Sequence, residues 1–153
     1  MSRHLWLVIG GWLSLAAATL HLGCIFGGED WYRFFGAGEG IARAAERGSW
    51  TPPLMALGIA ALLTIFALYA FAGARLIRRL PLMRAALVAI SAIYLLRGLV
   101  IVYPAAMARP DLSDGFMIWS SLVVLVYGVV YAVGTWRAWP QLNRRKEAHA
   151  VGS

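Results

Sequence analysis

The sequence predicts an all-α integral membrane protein: a four-transmembrane-helix bundle with a short interfacial helix in the first outer loop. Three observations carry this expectation. The 153 residues are 61% hydrophobic and 14% charged, with a mean hydropathy of +0.69, whereas soluble domains run at about 45–50% apolar and about 25% charged. Four apolar runs each reach the length of about 20 residues that a bilayer requires. Charge is divided unequally between alternate connections. The same composition excludes a disordered chain and an ordinary water-soluble enzyme, and a single cysteine excludes a disulfide scaffold.

The first span covers residues 5–26, with His21 its only ionisable side chain. The second, 52–74, opens at Thr51-Pro52-Pro53, where Thr51 suits an N-cap and proline is tolerated in the first turn. The third covers 82–103 and stops at Pro104. The fourth covers 116–136, with Ser113 or Asp114 as its cap. Residues 27–51 form the outer loop and 137–153 a cytoplasmic tail of one membrane domain, 1–153. No strand pattern interrupts the series, and each run reads as helix because backbone groups in lipid must satisfy one another. Leu22-Gly23-Cys24 imitates a lipoprotein signal. However, the apolar stretch exceeds an ordinary signal core and His21 stands where an apolar residue belongs, so Cys24 is expected as a lone, unlipidated thiol on an uncleaved helix.

Orientation follows from charge. The N-terminus, the middle turn and the tail carry Arg3, Arg75, Arg78, Arg79, Arg84, Arg137, Arg144, Arg145 and Lys146 against Glu147, a net +8. The other two connections carry Arg33, Arg43, Arg47 and Arg109 against Glu29, Asp30, Glu39, Glu46, Asp111 and Asp114, a net −2. Basic flanks stay cytoplasmic, so both termini are expected inside. An isoelectric point near 10.3 then reflects topology and contact with anionic headgroups, and nucleic acid is not an expected partner.

Small residues on the first span at Gly10, Ser14 and Ala17, followed by His21, Cys24 and Gly28, form a seam at coiled-coil spacing. The fourth span carries a comparable stripe through Ser120, Ser121, Tyr127, Gly128, Tyr131, Gly134 and Thr135. Such seams let membrane helices approach closely. Arg97 is the exceptional residue, because a charge inside a span is costly and faces a cavity or a partner; a structural salt bridge to a loop carboxylate is the favoured expectation and a ligand-holding role the alternative. Counted from Pro104 it lies about 10 Å below the outer end, and His21, counted from Gly27, about 9 Å. Tyr94 shares the Arg97 face.

The outer loop is long for a connection and unlike a random one. It runs Gly27-Gly28-Glu29-Asp30 and then Trp31-Tyr32-Arg33-Phe34-Phe35-Gly36-Ala37-Gly38-Glu39. Its aromatics suit the membrane interface, and Ile41, Ala42, Ala44 and Ala45 interleaved with Arg43, Glu46 and Arg47 suit a short surface helix. Glu29, Asp30 and Glu39 are the carboxylates expected to cover Arg97 and His21. This WYRFFGAGE string, with Leu80-Pro81-Leu82 and Tyr94-Leu95-Leu96-Arg97-Gly98, resembles a group of small uncharacterised four-helix bacterial inner-membrane proteins. The resemblance implies an inner-membrane location and brings no activity, cofactor or catalytic residue with it.

Several chemistries fail on residue count. A transmembrane haem needs a second histidine beside His21, whereas His4 and His149 lie at the other side. A quinone-linked disulfide enzyme needs paired cysteines, and a small multidrug antiporter needs an acidic residue on the first span. Gly36-Ala37-Gly38-Glu39-Gly40 follows no strand and is a weak phosphate loop. His21, Cys24, Glu29 and Asp30 have metal-ligand chemistry, but spacing alone does not make a site, and no cofactor is expected. Two readings remain. The favoured one is a non-enzymatic ligand- or lipid-binding accessory module with a polar pocket under the first outer loop, built from His21, Arg97, Tyr94, Glu29, Asp30 and Glu39. Its partners would be membrane lipids, and a homo-oligomer or a larger membrane complex is compatible with it. The alternative is a small membrane enzyme with His21 as acid/base and Arg97 clamping an anionic headgroup.

Overall fold

Four runs of apolar sequence, each forced to satisfy its own backbone, produce helices and little else. The computed structural model describes residues 4–102 and 114–142, and among them there are five α-helices, one short 3-10 helix and no strand. The helices are α1 (Leu5–Phe34), α2 (Glu39–Glu46), α3 (Thr51–Gly73), α4 (Met83–Gly98) and α5 (Asp114–Leu142), with the 3-10 turn Leu99–Val102 continuing α4. Of these, α1, α3 and α5 are each long and apolar enough to cross a membrane. A short helix, α2, stands in the connection between the first two long ones, where the sequence placed one.

Helix ends differ from the sequence reading in instructive ways. Thr51 is the first residue of α3 and caps nothing; Ser49 Oγ instead accepts the Thr51 N–H at 3.3 Å. Ser113 and Pro104 lie outside the described residues. Helix α5 runs six residues beyond the expected end at Trp136 and carries Pro140 inside its last turn. Helix α1 breaks at Gly28 (φ 65°, ψ −154°), a conformation only glycine adopts readily, and resumes to Phe34. The break folds Trp31 back on the end of its own helix: a Cβ on Gly23 would stand 2.9 Å from Trp31 Cζ3, and one on Gly27 would overlap the indole outright.

The helices pair as α1 with α3 and α4 with α5, and α1 lying along α5 joins the pairs. Large apolar side chains such as Leu54, Leu57, Ile65, Trp119 and Val126 point outward, while the interior combines many small and aromatic residues with a few large aliphatic ones, Leu7, Leu63, Leu87 and Ile90 among them. Ala56, Ala60, Ala67 and Ala70 line the buried face of α3. Leu7, fully buried, fits between Gly73 of α3 and Gly134 of α5. Gly98 and Gly128 make the α4–α5 contact reciprocal, Gly98 against the Leu125 backbone and Gly128 against Leu95. On α1 the buried positions are Leu7, Gly10, Gly11, Ser14, Ala18 and Cys24. The expected seam is buried at Gly10, Ser14 and Cys24 and half-buried at Ala17, His21 and Gly28, with Ala18 beside it inside the core. Ala42 of α2 is fully buried and joins Cys24, Tyr32 and Ala56 in a second, smaller core, so the apolar face of α2 packs on protein.

Gly98→Ala tests the close approach. Its Cβ would stand 2.7 Å from Leu125 Cα, so α5 must shift, at a cost of about 1–3 kcal/mol. A Cβ at Gly58 meets nothing within 4 Å, and Gly58→Ala should be neutral or mildly stabilising. Thermal unfolding of both variants in detergent reads the difference, and equal melting temperatures would refute the contact.

Candidate functional site

The residues singled out by sequence fall into three separate places. The first is the bundle interior. Ser14 Oγ on α1 lies 3.0 Å from Tyr94 Oη on α4 and 2.8 Å from Tyr131 Oη on α5, so one small hydroxyl ties three helices. Tyr127 Oη donates to the Leu13 carbonyl at 3.1 Å. The Tyr94 ring stands 5.4–5.6 Å from those of Phe66, Tyr127 and Tyr131, edge-on to Phe66 and tilted to the tyrosines. Tyr94 thus faces the interior as its helical position requires, but its hydroxyl is engaged by Ser14. Hydroxyls buried in a low-dielectric core must find partners, and this cluster supplies them internally.

The second place is the half of α1 and α4 that lies toward α2. His21 Nδ1 lies 2.8 Å from the Ala17 carbonyl one turn back. A carbonyl only accepts, so Nδ1 carries the proton and Nε2 has no partner among the described residues. Arg97 Nη1 donates to Ser121 Oγ of α5 at 3.4 Å, a long bond. Among the described residues Arg97 makes no ion pair. His21 and Arg97 therefore hold different partners, one on its own helix and one on α5.

The third place is the cap formed by the end of α1 and by α2, whose carboxylates the sequence reading assigns to Arg97. Asp30 and Glu39 go elsewhere. Arg33 is their centre: it meets Glu39 at 3.2 Å, Asp30 at 3.6 Å and Glu46 at 3.6 Å. Arg43 takes the other Glu39 oxygen at 2.9 Å, an i,i+4 pair on α2. Glu29 is half-buried and makes no ion pair among the described residues. The physical reason is proximity: the turn at Gly28 and the start of α2 bring Arg33 to the carboxylates of its own loop. Arg33 was legible only as one aromatic-flanked cation in WYRFFGAGE. Tyr32 was also passed over. It is buried beside Cys24, and its Oη has no hydrogen-bond partner. Gly36 (φ 70°) lies against Phe116 of α5 so closely that a Cβ there would overlap the ring, which joins the cap to the last helix. Among the described residues no three of His, Cys, Asp and Glu converge to hold a metal.

The two kinds of buried hydroxyl predict opposite responses. Ser14→Ala leaves Tyr94 and Tyr131 without their common partner and should cost about 1–2 kcal/mol, read as a lower melting temperature in detergent. Tyr32→Phe removes an unsatisfied group and should raise it; a fall would reveal a partner for that hydroxyl.

The cap should respond to acid. The Arg33 hydrogen bond, followed by that from Arg43, holds the Glu39 carboxyl below the usual carboxylate range. A depressed folded pKa contributes stability above the ordinary carboxylate pKa and loses it as pH falls through the folded value. Hydrogen exchange in α2 should accordingly quicken on acidification below about pH 4, and Glu39→Gln should remove that dependence. Comparison of the chain with family models, curated proteins and solved structures returns no match, which leaves this geometry to carry the functional reading.

Proposed function

We propose that the chain is a four-span bacterial inner-membrane protein with both termini cytoplasmic, acting as a non-enzymatic module that binds an anionic lipid headgroup at its outer end. Arg97 carries this reading. It is a guanidinium in the outer half of α4 whose bond, to Ser121, is long, and which makes no ion pair among the described residues. Arginine offers five donors in a planar fork suited to phosphate, and Ser121 fills one of them.

Helix lengths support four spans. Sixteen α-helical residues in α4 rise about 24 Å and the four of the 3-10 turn about 8 Å, close to a hydrocarbon thickness of about 30 Å. Tryptophans support the placement: Trp50 and Trp119 are 78% and 71% exposed at one end, and Trp136 is 75% exposed at the other. Along α5 the last two are separated by about 26 Å, as two interfacial belts require. The charge split argues for the basic end inside. Binding is preferred to catalysis because His21 and Arg97 are engaged on different elements instead of converging on one substrate.

Two measurements test this. A cysteine at Ser49 should be labelled by an impermeant reagent from outside only, and labelling from the cytoplasmic side would sink the topology. Native mass spectrometry should find anionic phospholipid retained by the wild type, strongly reduced in Arg97→Leu and partly restored in Arg97→Lys, since lysine lacks the fork. Retention unchanged in Arg97→Leu would overturn the headgroup assignment.

A further inference from the structure

The opposite end of the bundle holds a cavity that the outer site does not use. It measures about 300 Å³ and lies between the turn that joins α3 to α4 and the end of α5, lined by Arg79, Leu80, Leu82, Met83, Arg84 and Leu142 among others. That size sits at the low end for ligand sites and suits a headgroup better than a whole lipid.

Three features give the cavity one electrostatic sign. Arg84 has its guanidinium carbon 4.6 Å from the centre of the Trp139 ring, and its Nε is enclosed without an acceptor. Arg79 donates through Nη2 to the Gln141 carbonyl, which fixes the side chain across the cleft and leaves its other donors. Met83 opens α4, a sixteen-residue helix whose N-terminal turn is the positive end of its dipole. No described carboxylate balances them, because Glu29, Asp30, Glu39 and Glu46 all belong to the other end. Tyr69 Oη donates to the Pro81 carbonyl at 3.3 Å and steadies the turn.

The apolar part of the wall selects among anions. Leu82 is 79% exposed at the cavity, Val88 is exposed further along α4, and Trp136 and Trp139 are exposed near the end of α5, Trp139 beneath the Arg84 guanidinium. A soluble anion would gain nothing from these side chains, whereas a phospholipid would lay its acyl chains along them with the phosphate at the level of the tryptophans. We propose that this cavity binds the phosphate of an anionic glycerophospholipid in the leaflet at the basic end, with Arg84 and Arg79 as donors and Trp139 holding Arg84 in place. The inference rests on the membrane placement argued above but not on Arg97, so the two sites fail independently.

The full chain in detergent is titrated with phosphatidylglycerol or phosphatidylcholine, and bound lipid is counted by native mass spectrometry at a salt concentration that screens diffuse attraction. The wild type should prefer phosphatidylglycerol. Arg84→Gln should reduce that retention about tenfold, the effect of losing one charge-assisted bond, and Arg79→Gln, at a more exposed position, should act in the same direction should Arg84→Gln not fold. Arg78→Gln removes equal charge from an exposed residue outside the cavity wall and should leave retention unchanged within about twofold. An equal loss in all three variants would mean diffuse attraction and overturn the site. Competition by inorganic phosphate as effective as by lipid would make it a free-phosphate site and overturn the lipid assignment. A Glu147→Gln variant that retained severalfold more phosphatidylglycerol would make the chain's own tail the occupant, and would equally overturn it. Loss of the preference in Arg97→Leu with no change in Arg84→Gln would leave the outer site standing and remove this one.

Discussion

Lipid hydrocarbon is as apolar as a leucine side chain, so burying leucine against leucine contributes little to holding these helices together. What holds them is closeness, and closeness requires that something be missing. At the α4–α5 contact the missing atoms are the β-carbons of Gly98 and Gly128; each lets the other helix approach until backbone meets side chain. At the other end Gly73 and Gly134 leave the space that Leu7 fills. The alanines of α3 do the same over a longer stretch. Dispersion between well-packed atoms is small for each pair and large in sum, so a bulky side chain gains from the interior only where a glycine or alanine opposite leaves it room, as at Leu7, and the others face outward.

Close packing alone leaves register loosely defined, because one small seam resembles another. The Ser14 cluster resolves that. A hydroxyl that serves Tyr94 and Tyr131 at once does so at one rotation and one height of α1 against α4 and α5. Sliding any of these helices by a residue would strand a phenol in a region with no water to receive it. The polar groups that might have suggested a reaction centre therefore specify the arrangement of the bundle, and Tyr94 belongs to the frame more than to a ligand site.

Much of this was legible in the residues, and the remainder failed for definable reasons. Apolar runs are read from composition, so the all-helical character and the three long apolar helices were available, with ends displaced where local chemistry intervened, as at Ser49 and beyond Trp136. The seam through Gly10, Ser14 and Cys24 was visible because small residues in a leucine-rich helix stand out. The alanine face of α3 was not, since alanine is common in any membrane helix and carries no signal until its neighbours are known. Matched depth placed His21 and Arg97 at one level but says nothing about rotation, and rotation decided that each found its own partner. The carboxylates were assigned to the costliest cation, Arg97, whereas a short loop closes first on the cation it already contains, Arg33. The sharp turn at Gly28 that makes this possible needs a backbone angle, which a Gly-Gly pair permits but does not announce.

The contact between Gly36 and Phe116 has a consequence for biogenesis. Chains are made from the N-terminus, so α1, α2 and α3 are complete before Phe116 emerges. Their outer loop can draw together on Arg33, but the surface at Gly36 stays uncovered until the first turn of α5 arrives. The last helix therefore finishes a structure begun by the first, and a nascent chain halted before Phe116 carries a loop whose Gly36 surface has no ring packed on it. Recognition of that uncovered glycine turn would read, in one loop, whether the whole bundle has been assembled.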